Sequence, residues 1–384
     1  MDTPFIYNRY VTGKNFIGRK NETTILCNLM SAGEHVSIYE APKRGKTSLV
    51  QQALFNMRIQ GVRFLIGEVN LMSTRTIADF LKLVGSSAIR AVASTPDEYA
   101  SIVERHLAGT HFVFDRSAYS EMDEILSLNW DIDDNDIASI LRLPYLLSQD
   151  NATRIFMIID EFQNISLTED GDKVCRIFEK VMKEMRENGL ALCSFIICGS
   201  MVNAMKEIFE HKRHFYRQVE HLELHDVEDR EIVEHIVKGF LASGKVIDRD
   251  LLLGACKLFR CNLWYLNSFI SICDSLSKGY IMETVLIESL SMTIALHESR
   301  FQAMMYDLTT YQVSLLKAIL DGNTKFSTSE VISKYSLNSS ANVRRLKDAL
   351  CKKEIITFNE QDEPEILDPL FEYWVRKYYF NMHD

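Results

Sequence analysis

The chain is poor in residues that break regular structure: it has six prolines and sixteen glycines among 384 residues. That scarcity excludes a collagen-like or linker-rich architecture. None of the eight cysteines forms a CxxC pair, and Cys193, Cys198 and Cys273 sit inside apolar runs. They read as buried, reduced thiols of a cytoplasmic protein. Long apolar runs are missing too. A long uncharged stretch, Gly189 to Met205, is 17 residues broken by Ser, Gly and Asn, whereas a membrane helix needs about 20 apolar residues. The opening Met-Asp-Thr-Pro-Phe lacks the basic segment and apolar stretch of a signal peptide. The expectation is a soluble chain with no membrane partner. Positive charge is in deficit: 43 Lys and Arg against 53 Asp and Glu leave a net −10. Bulk electrostatics cannot coat such a chain with nucleic acid, so any such contact must be a local patch.

What is present is an ordinary globular mixture, 47% hydrophobic, 25% charged and 10% aromatic, which assures a sizeable core. At roughly 100–200 residues per domain the length predicts two or three domains. Up to about residue 225, short apolar runs alternate with amphipathic stretches, the pattern of an α/β sheet. Candidate strands are His35–Tyr39, Phe64–Asn70, Arg154–Ile159, Ser194–Cys198 and an alternating Val219–Leu224. The nearly continuous apolar runs among them suit strands buried on both faces. After Leu224 the pattern is helical. Asp226 is a candidate N-cap for a helix burying Ile232, Val233, Ile236, Val237, Phe240 and Leu241, and further helices cover Asp248–Phe259, Leu263–Ser277 and Met282–Met305. The last stretch reads helix (Tyr311–Leu320), short helix (Thr328–Lys334), helix (Ser339–Lys352), strand (Ile355–Phe358), charged turn, strand, helix. That order is a winged helix-turn-helix. The expected organisation is an α/β domain over 1–225, a helical lid over 226–305 and a winged helix over 306–384.

The most informative segment runs from His35 to Val50. A strand enters a turn, Ala41-Pro42-Lys43-Arg44, and Gly45-Lys46-Thr47-Ser48 then opens a helix. Backbone N–H groups at such a helix start attract an oxyanion, the lysine reaches the β and γ phosphates, and the Thr47 hydroxyl is placed for Mg²⁺. The Walker A motif wants glycine at position 40, where this chain has Glu40. The plainer alternative is a helix start with an exposed lysine. A second element supports the phosphate loop: Arg154-Ile-Phe-Met-Ile-Ile-Asp160-Glu161 is an apolar strand ending in two carboxylates, a Walker B pattern. At a strand's C-terminal end Asp160 can reach a magnesium shell and Glu161 can polarise the attacking water. The competing reading makes both acids helix caps.

With these pieces goes a family likeness. The chain resembles the AAA+/STAND P-loop ATPases of the archaeal-ATPase type, a group also found in Bacteroides-like bacteria. The likeness rests on Phe16-Ile-Gly18-Arg19 with Glu22, the loop 41–48, Leu143-Pro144, Asp160-Glu-Phe-Gln163, Cys198-Gly-Ser200, Phe215-Tyr-Arg217 and Asp368-Pro-Leu-Phe-Glu-Tyr-Trp374. It implies a P-loop NTPase domain with a helical lid and a winged helix, and a switch that binds and hydrolyses Mg²⁺·ATP. It also implies that Phe16–Arg19 lies against adenine, that Ser200 is a polar sensor beside the γ-phosphate, and that Arg217 contacts that phosphate. Tyr216 stands where the family has glycine before this arginine, which leaves Arg213 as an alternative. Glu40 points to weak or slow hydrolysis, and in the limit to a scaffold with little turnover.

Other constellations weigh less. His211, His214, His221 and His225 lack the companions and spacing of a zinc site; His221, Glu223 and His225 alternate with leucines like the wet face of a strand. Asp131–Asp136 lacks the glycine and closing glutamate of a calcium loop and reads as a solvated acidic loop. The candidate recognition helix, residues 339–353, carries Arg344, Arg345, Lys347, Lys352 and Lys353 against Asp348, yet the wing Glu360–Glu365 is acidic. Protein docking and DNA binding both stay open, as does a nucleotide-gated DNA-binding regulator or initiator. An ATP-dependent homo-oligomer is a further expected partner state.

Overall fold

The computed structural model describes residues 5–117 and 125–382. The chain divides into two compact units, one formed by Arg19–Glu40 and Leu49–Leu224, the other by Met1–Gly18, Ala41–Ser48 and His225–Asp384.

The first unit is built on a sheet. In chain order its elements are α1 (Lys20–Ala32), β1 (His35–Tyr39), α2 (Lys46–Ile59, whose first turn belongs to the other unit), β2 (Phe64–Asn70), α3 (Ile77–Val92), α4 (Pro96–His106), β3 (Phe112–Phe114), β4 (Leu126–Leu128), α5 (Asp134–Asp150), β5 (Arg154–Asp160), α6 (Gly171–Glu187), β6 (Cys193–Gly199), α7 (Val202–Lys206) and β7 (Val219–His221). Five strands pair in the order β2-β5-β6-β1-β7, and every pair is parallel. All residues of β1 and β6 are buried. Such burial suits the nearly continuous apolar run of β6, while β1 buries the polar His35 and Ser37 among its apolar residues. Tyr39 pairs with Gly199 and Ile159 with Ile197. The C-terminal ends of β1, β5 and β6 therefore lie side by side at one edge of the sheet.

β1 and β2 fall where the sequence places them, β5 runs one residue further, and β6 is longer by one residue at each end. β7 is shorter than expected and ends at His221, although Leu222 and Leu224 are still buried between exposed His221, Glu223 and His225. The antiparallel pair β3–β4 has only three residues a strand, too few to show a pattern. The acidic loop at 131–136 is exposed at Asp131, Asp133 and Asp134, as expected, but needs correcting at Asp136. Asp133 and Asp136 form a capping box at the start of α5, and Asp136 is fully buried. Its carboxylate accepts from the Asp133 and His111 backbone N–H groups and from His111 Nδ1. The acid is a helix cap, not a solvated group.

The second unit contains α8 (Asp229–Ala242), β8 (Val246–Ile247), α9 (Arg249–Leu258), α10 (Leu263–Leu276), β9 (Tyr280–Ile281), α11 (Glu283–Tyr306), α12 (Thr310–Leu320), α13 (Ser329–Lys334), α14 (Ser340–Lys352), β10 (Ile356–Phe358), β11 (Pro364–Ile366) and α15 (Pro369–Trp374). Side-chain oxygens start most of the later helices: Thr309 and Gln312 form a capping box on α12, and Thr328, Ser339 and Asp368 cap α13, α14 and α15. Each cap is worth about 1 kcal/mol. One hydrophobic core runs from Phe5 and Val227 to Val375, so the helices over 229–306 and those of the winged helix share it. Phe301 of α11, for example, packs its ring on Phe371 and Trp374 of α15. Asp226 is not the cap of α8. Glu228 holds that position without a side-chain cap bond, and Asp226 pairs instead with Arg44. The parallel β8–β9 pair was also not foreseen after Leu224.

Candidate functional site

The loop after β1 belongs with the second unit. The Glu40 N–H still donates to the Gly199 carbonyl at 3.3 Å, one step beyond the β1–β6 ladder. The chain then turns through Lys43 and Gly45, with φ of 67° and 89°, before α2 begins at Lys46. Gly45 accepts that conformation without strain, whereas Lys43 does so at a cost. Lys46 is only 7% exposed, and its ammonium donates to the Ala41 carbonyl at 3.1 Å, back across the loop. An exposed lysine at an ordinary helix start is thereby ruled out. Thr47 is exposed in the first turn, and Ser48 Oγ accepts from the Val11 N–H at 3.2 Å. The first turn carries no acidic residue, so nothing in it offsets the positive end of the helix dipole.

Pro42 is exposed, but the two residues after it are engaged within this unit. The Lys43 ammonium lies 3.3 Å from the centroid of the Trp264 ring. Loss of water there pulls its pKa down, as does the Arg300 charge, while Asp368 opposes them. Arg44 pairs with Asp226 and donates to the Arg260 carbonyl at 3.3 Å. Arg260 in turn donates to the Ile366 carbonyl of β11 at 2.8 Å and pairs with Glu372 of α15. Beside Trp264, the Tyr265 hydroxyl donates to Asp368 at 2.9 Å; Arg300 reaches both, at 2.9 Å and 2.6 Å. Burial and then the Asp368 charge push the Tyr265 phenol well up. Asp368 also accepts from the Leu370 and Phe371 N–H groups, so the acid that caps α15 ties it to α10 and α11. Sequence reasoning assigned no role to Arg260, Trp264 or Tyr265.

In the sheet unit, Asp160 closes β5 and its Oδ1 accepts from the Glu161 N–H at 3.0 Å. Glu161 has a left-handed backbone, φ 57° and ψ 39°, unusual for a residue with a side chain. It precedes a short 3₁₀ turn, Phe162–Leu167, and makes no side-chain cap bond to it. The capping reading therefore fails for Glu161. Its Oε2 accepts from Ser200 Oγ at 2.7 Å and from Gln163 Nε2 at 2.5 Å. The structure thus brings Glu161 and Ser200 together and adds Gln163, whose part the motif alone did not reveal.

Gly18 has φ 63°, and a Cβ there would come within 2.6 Å of Val227 Cγ1, so only glycine fits. Arg19 follows at the N-cap position of α1, also left-handed. Arg213 and Arg217 are both exposed with positive φ. The Arg217 guanidinium lies 5.2 Å from the ring of Tyr216, and its carbonyl accepts from Arg186 at 3.1 Å. On the winged helix, Lys347 pairs with Asp362 of the wing and Lys353 with Asp307. Arg344, Arg345 and Lys352 are exposed. Among the described residues no helix is long and apolar enough to cross a membrane.

The family model described as "Probable winged helix domain" matches residues 299–377. No curated protein matches the chain in sequence. Two solved structures are similar over nearly the whole length. The Walker-type ATPase PABY2304 of Pyrococcus abyssi has 14% identity and a TM-score of 0.66, over 97% of this chain and 99% of that one. The ORC2 protein of Aeropyrum pernix, in its ADPNP–ADP complexes, has 14% identity and a TM-score of 0.56, over 96% and 94%. Both are archaeal, and neither bears on the Bacteroides-like grouping. The chain thus has a parallel-sheet α/β fold like that of these two structures, with a C-terminal winged helix.

Proposed function

We propose that the chain is an ATP-binding and ATP-hydrolysing molecular switch of the AAA+/STAND kind. The observation that carries this reading is the double tether of the loop: the side chains of Lys43 and Arg44 rest on the residues that hold the winged helix. A loop that reshapes around phosphates then shifts groups on which β11 and α15 depend.

In this reading the amides of Pro42–Ser48 that carry hydrogen, and the Lys46 ammonium, hold the phosphates. The segment at Gly18 and Arg19 lies against adenine. Thr47 and Asp160 supply a hydroxyl and a carboxylate, hard oxygen donors that suit Mg²⁺ rather than a soft metal. When bound, Mg²⁺ neutralises charge on the phosphates. Glu161 accepts a proton from the attacking water, Ser200 acts as the polar sensor, and Arg217, or Arg213 beside it, contacts the γ-phosphate. The similarity to a Walker-type ATPase and to a protein solved with ADPNP and ADP supports nucleotide as the ligand. Eight free cysteines accord with a cytoplasmic setting. The partner at the winged helix is a protein or DNA, and a homo-oligomer belongs to the ATP state.

The second reading, a nucleotide-gated DNA-binding regulator, is favoured by the exposure of Arg344, Arg345 and Lys352 on α14. The third, a scaffold with little turnover, is favoured by Glu40. The test is ATP titration and phosphate release on the full chain, with and without Mg²⁺ and DNA, beside Lys46→Ala. Lys46→Ala should lose ATP binding by about 100-fold or more, equivalent to about 2.7 kcal/mol. Because Lys46 is buried, its melting temperature is measured alongside. A folded Lys46→Ala that binds ATP as tightly as the parent would remove the loop from the site.

A further inference from the structure

We infer that Gln163 is a positioning residue for Glu161, an inference that rests on the hydrolytic reading above. Two donors, Gln163 Nε2 and Ser200 Oγ, converge on one carboxylate oxygen, Oε2. Fixing Oε2 from two directions fixes the plane of the carboxylate and leaves Oε1 as the oxygen that can take a proton from water.

Gln163 is held for this task at a cost to stability. The residue is 3% exposed, and its Oε1 has no hydrogen-bond donor among the described residues. That oxygen lies against Gly199, where a Cβ would stand 2.8 Å from it and 2.5 Å from the Met205 side chain. A buried carbonyl oxygen without a donor destabilises the fold, and an apolar side chain of the same shape would not carry that burden. A residue there for packing alone would be served better by methionine. Among the described residues the side-chain amide makes one bond, to Glu161. The left-handed backbone at Glu161 fits the same account, since strain of this kind persists where surrounding contacts over-determine it. Ser200 is the less constant of the two donors in the proposed cycle, because its hydroxyl is also the group offered to the γ-phosphate. Gln163 faces no such competing demand and is the steady half of the clamp.

Gln163→Met is the discriminating variant, because it keeps the side-chain length and volume and removes only the amide. Steady-state phosphate release should fall about 10- to 100-fold in kcat, the range for a misplaced catalytic group, with ATP affinity unchanged and a melting temperature equal to or above the parent's. Glu161→Gln alone should lose about 100-fold or more. Adding Gln163→Met to it should cost nothing further, because the carboxylate to be positioned has gone. Parent-like kcat in Gln163→Met overturns the inference. So does a loss of melting temperature and ATP affinity in step with kcat, which marks a packing role, or a further fall in the double variant, which marks an independent one. A parent that binds ATP without turning it over overturns both this inference and the hydrolytic reading. A parent that turns over beside an unaffected Gln163→Met overturns this inference alone.

Discussion

His35 shows how one buried side chain on β1 sets a pH limit on the sheet. Its Nδ1 accepts from the Phe195 N–H at 3.0 Å, so the neutral ring carries its proton on Nε2, which lies 2.9 Å from the Tyr145 hydroxyl. Burial lowers its pKa to about 3, with the Arg186 charge a smaller cause. In the unfolded chain the value returns to about 6.5. The unfolded state therefore takes up a proton that the folded state refuses between those limits. The contribution is fully present above pH 6.5 and is lost as pH falls toward 3, at about 1.4 kcal/mol per pH unit. We expect the parent to be more stable than His35→Gln at pH 7 and the gap to close as pH falls from 6.5 to 4, measured by urea unfolding. A gap that stays constant with pH would show that His35 titrates alike in both states. Among the candidate site residues, Lys46 is buried against its own loop and the Glu161 carboxylate accepts from two side-chain donors.

The helix α14 decides between the two docking partners at the next scale. Of the five cations on its segment, Lys347 is paired with wing residue Asp362 and Lys353 with Asp307, whereas Arg344 and Arg345 form no ion pair among the described residues. If the helix enters a DNA groove, these arginines neutralise phosphates. Arg344→Glu with Arg345→Glu should then lower affinity and reduce the slope of log K against log salt by about 2. Fluorescence anisotropy on duplex DNA measures this, and a parent with no binding at low salt leaves protein docking. The Lys347–Asp362 pair was invisible in sequence, because the two residues meet only when the wing folds back. The same holds for Asp226, whose partner Arg44 lies far away in the chain. Local rules offered it as a cap, which the structure contradicts, because they could not see the competing long-range charge. Asp136 was misread because a capping box and a solvated acidic run look alike until His111 arrives from elsewhere. Strands β5 and β6, inside the sheet, were legible because burial on both faces leaves a nearly continuous apolar run with sharp ends. Walker-like spacing likewise singled out Lys46, Asp160 and Glu161 as candidates, whereas only side-chain geometry drew attention to Gln163 and Trp264.

At the scale of the molecule, the proposed switch needs a physical route from loop to winged helix, and the second unit contains two. One runs from Arg44 to the Arg260 carbonyl, and from the Arg260 guanidinium to Ile366 and Glu372. The other runs from Lys43 on Trp264 to Tyr265 and Asp368. Spatial continuity alone does not establish coupling; both ends must respond to the ligand and the response must depend on the links. Arg260→Ala with Tyr265→Phe cuts both routes downstream of the loop and leaves the loop residues and the Arg260 carbonyl in place. Hydrogen exchange is the suitable readout, because it reports local opening segment by segment. In the parent, Mg²⁺·ATP should alter exchange both around residues 260–266 and across 364–374. In the double variant ATP affinity should stay within about 3-fold, less than 1 kcal/mol, and the change at 260–266 should persist while that at 364–374 falls by at least half. An undiminished response at 364–374 would show that the winged helix senses nucleotide by another path. No response in the parent would leave a nucleotide-binding protein without the switch.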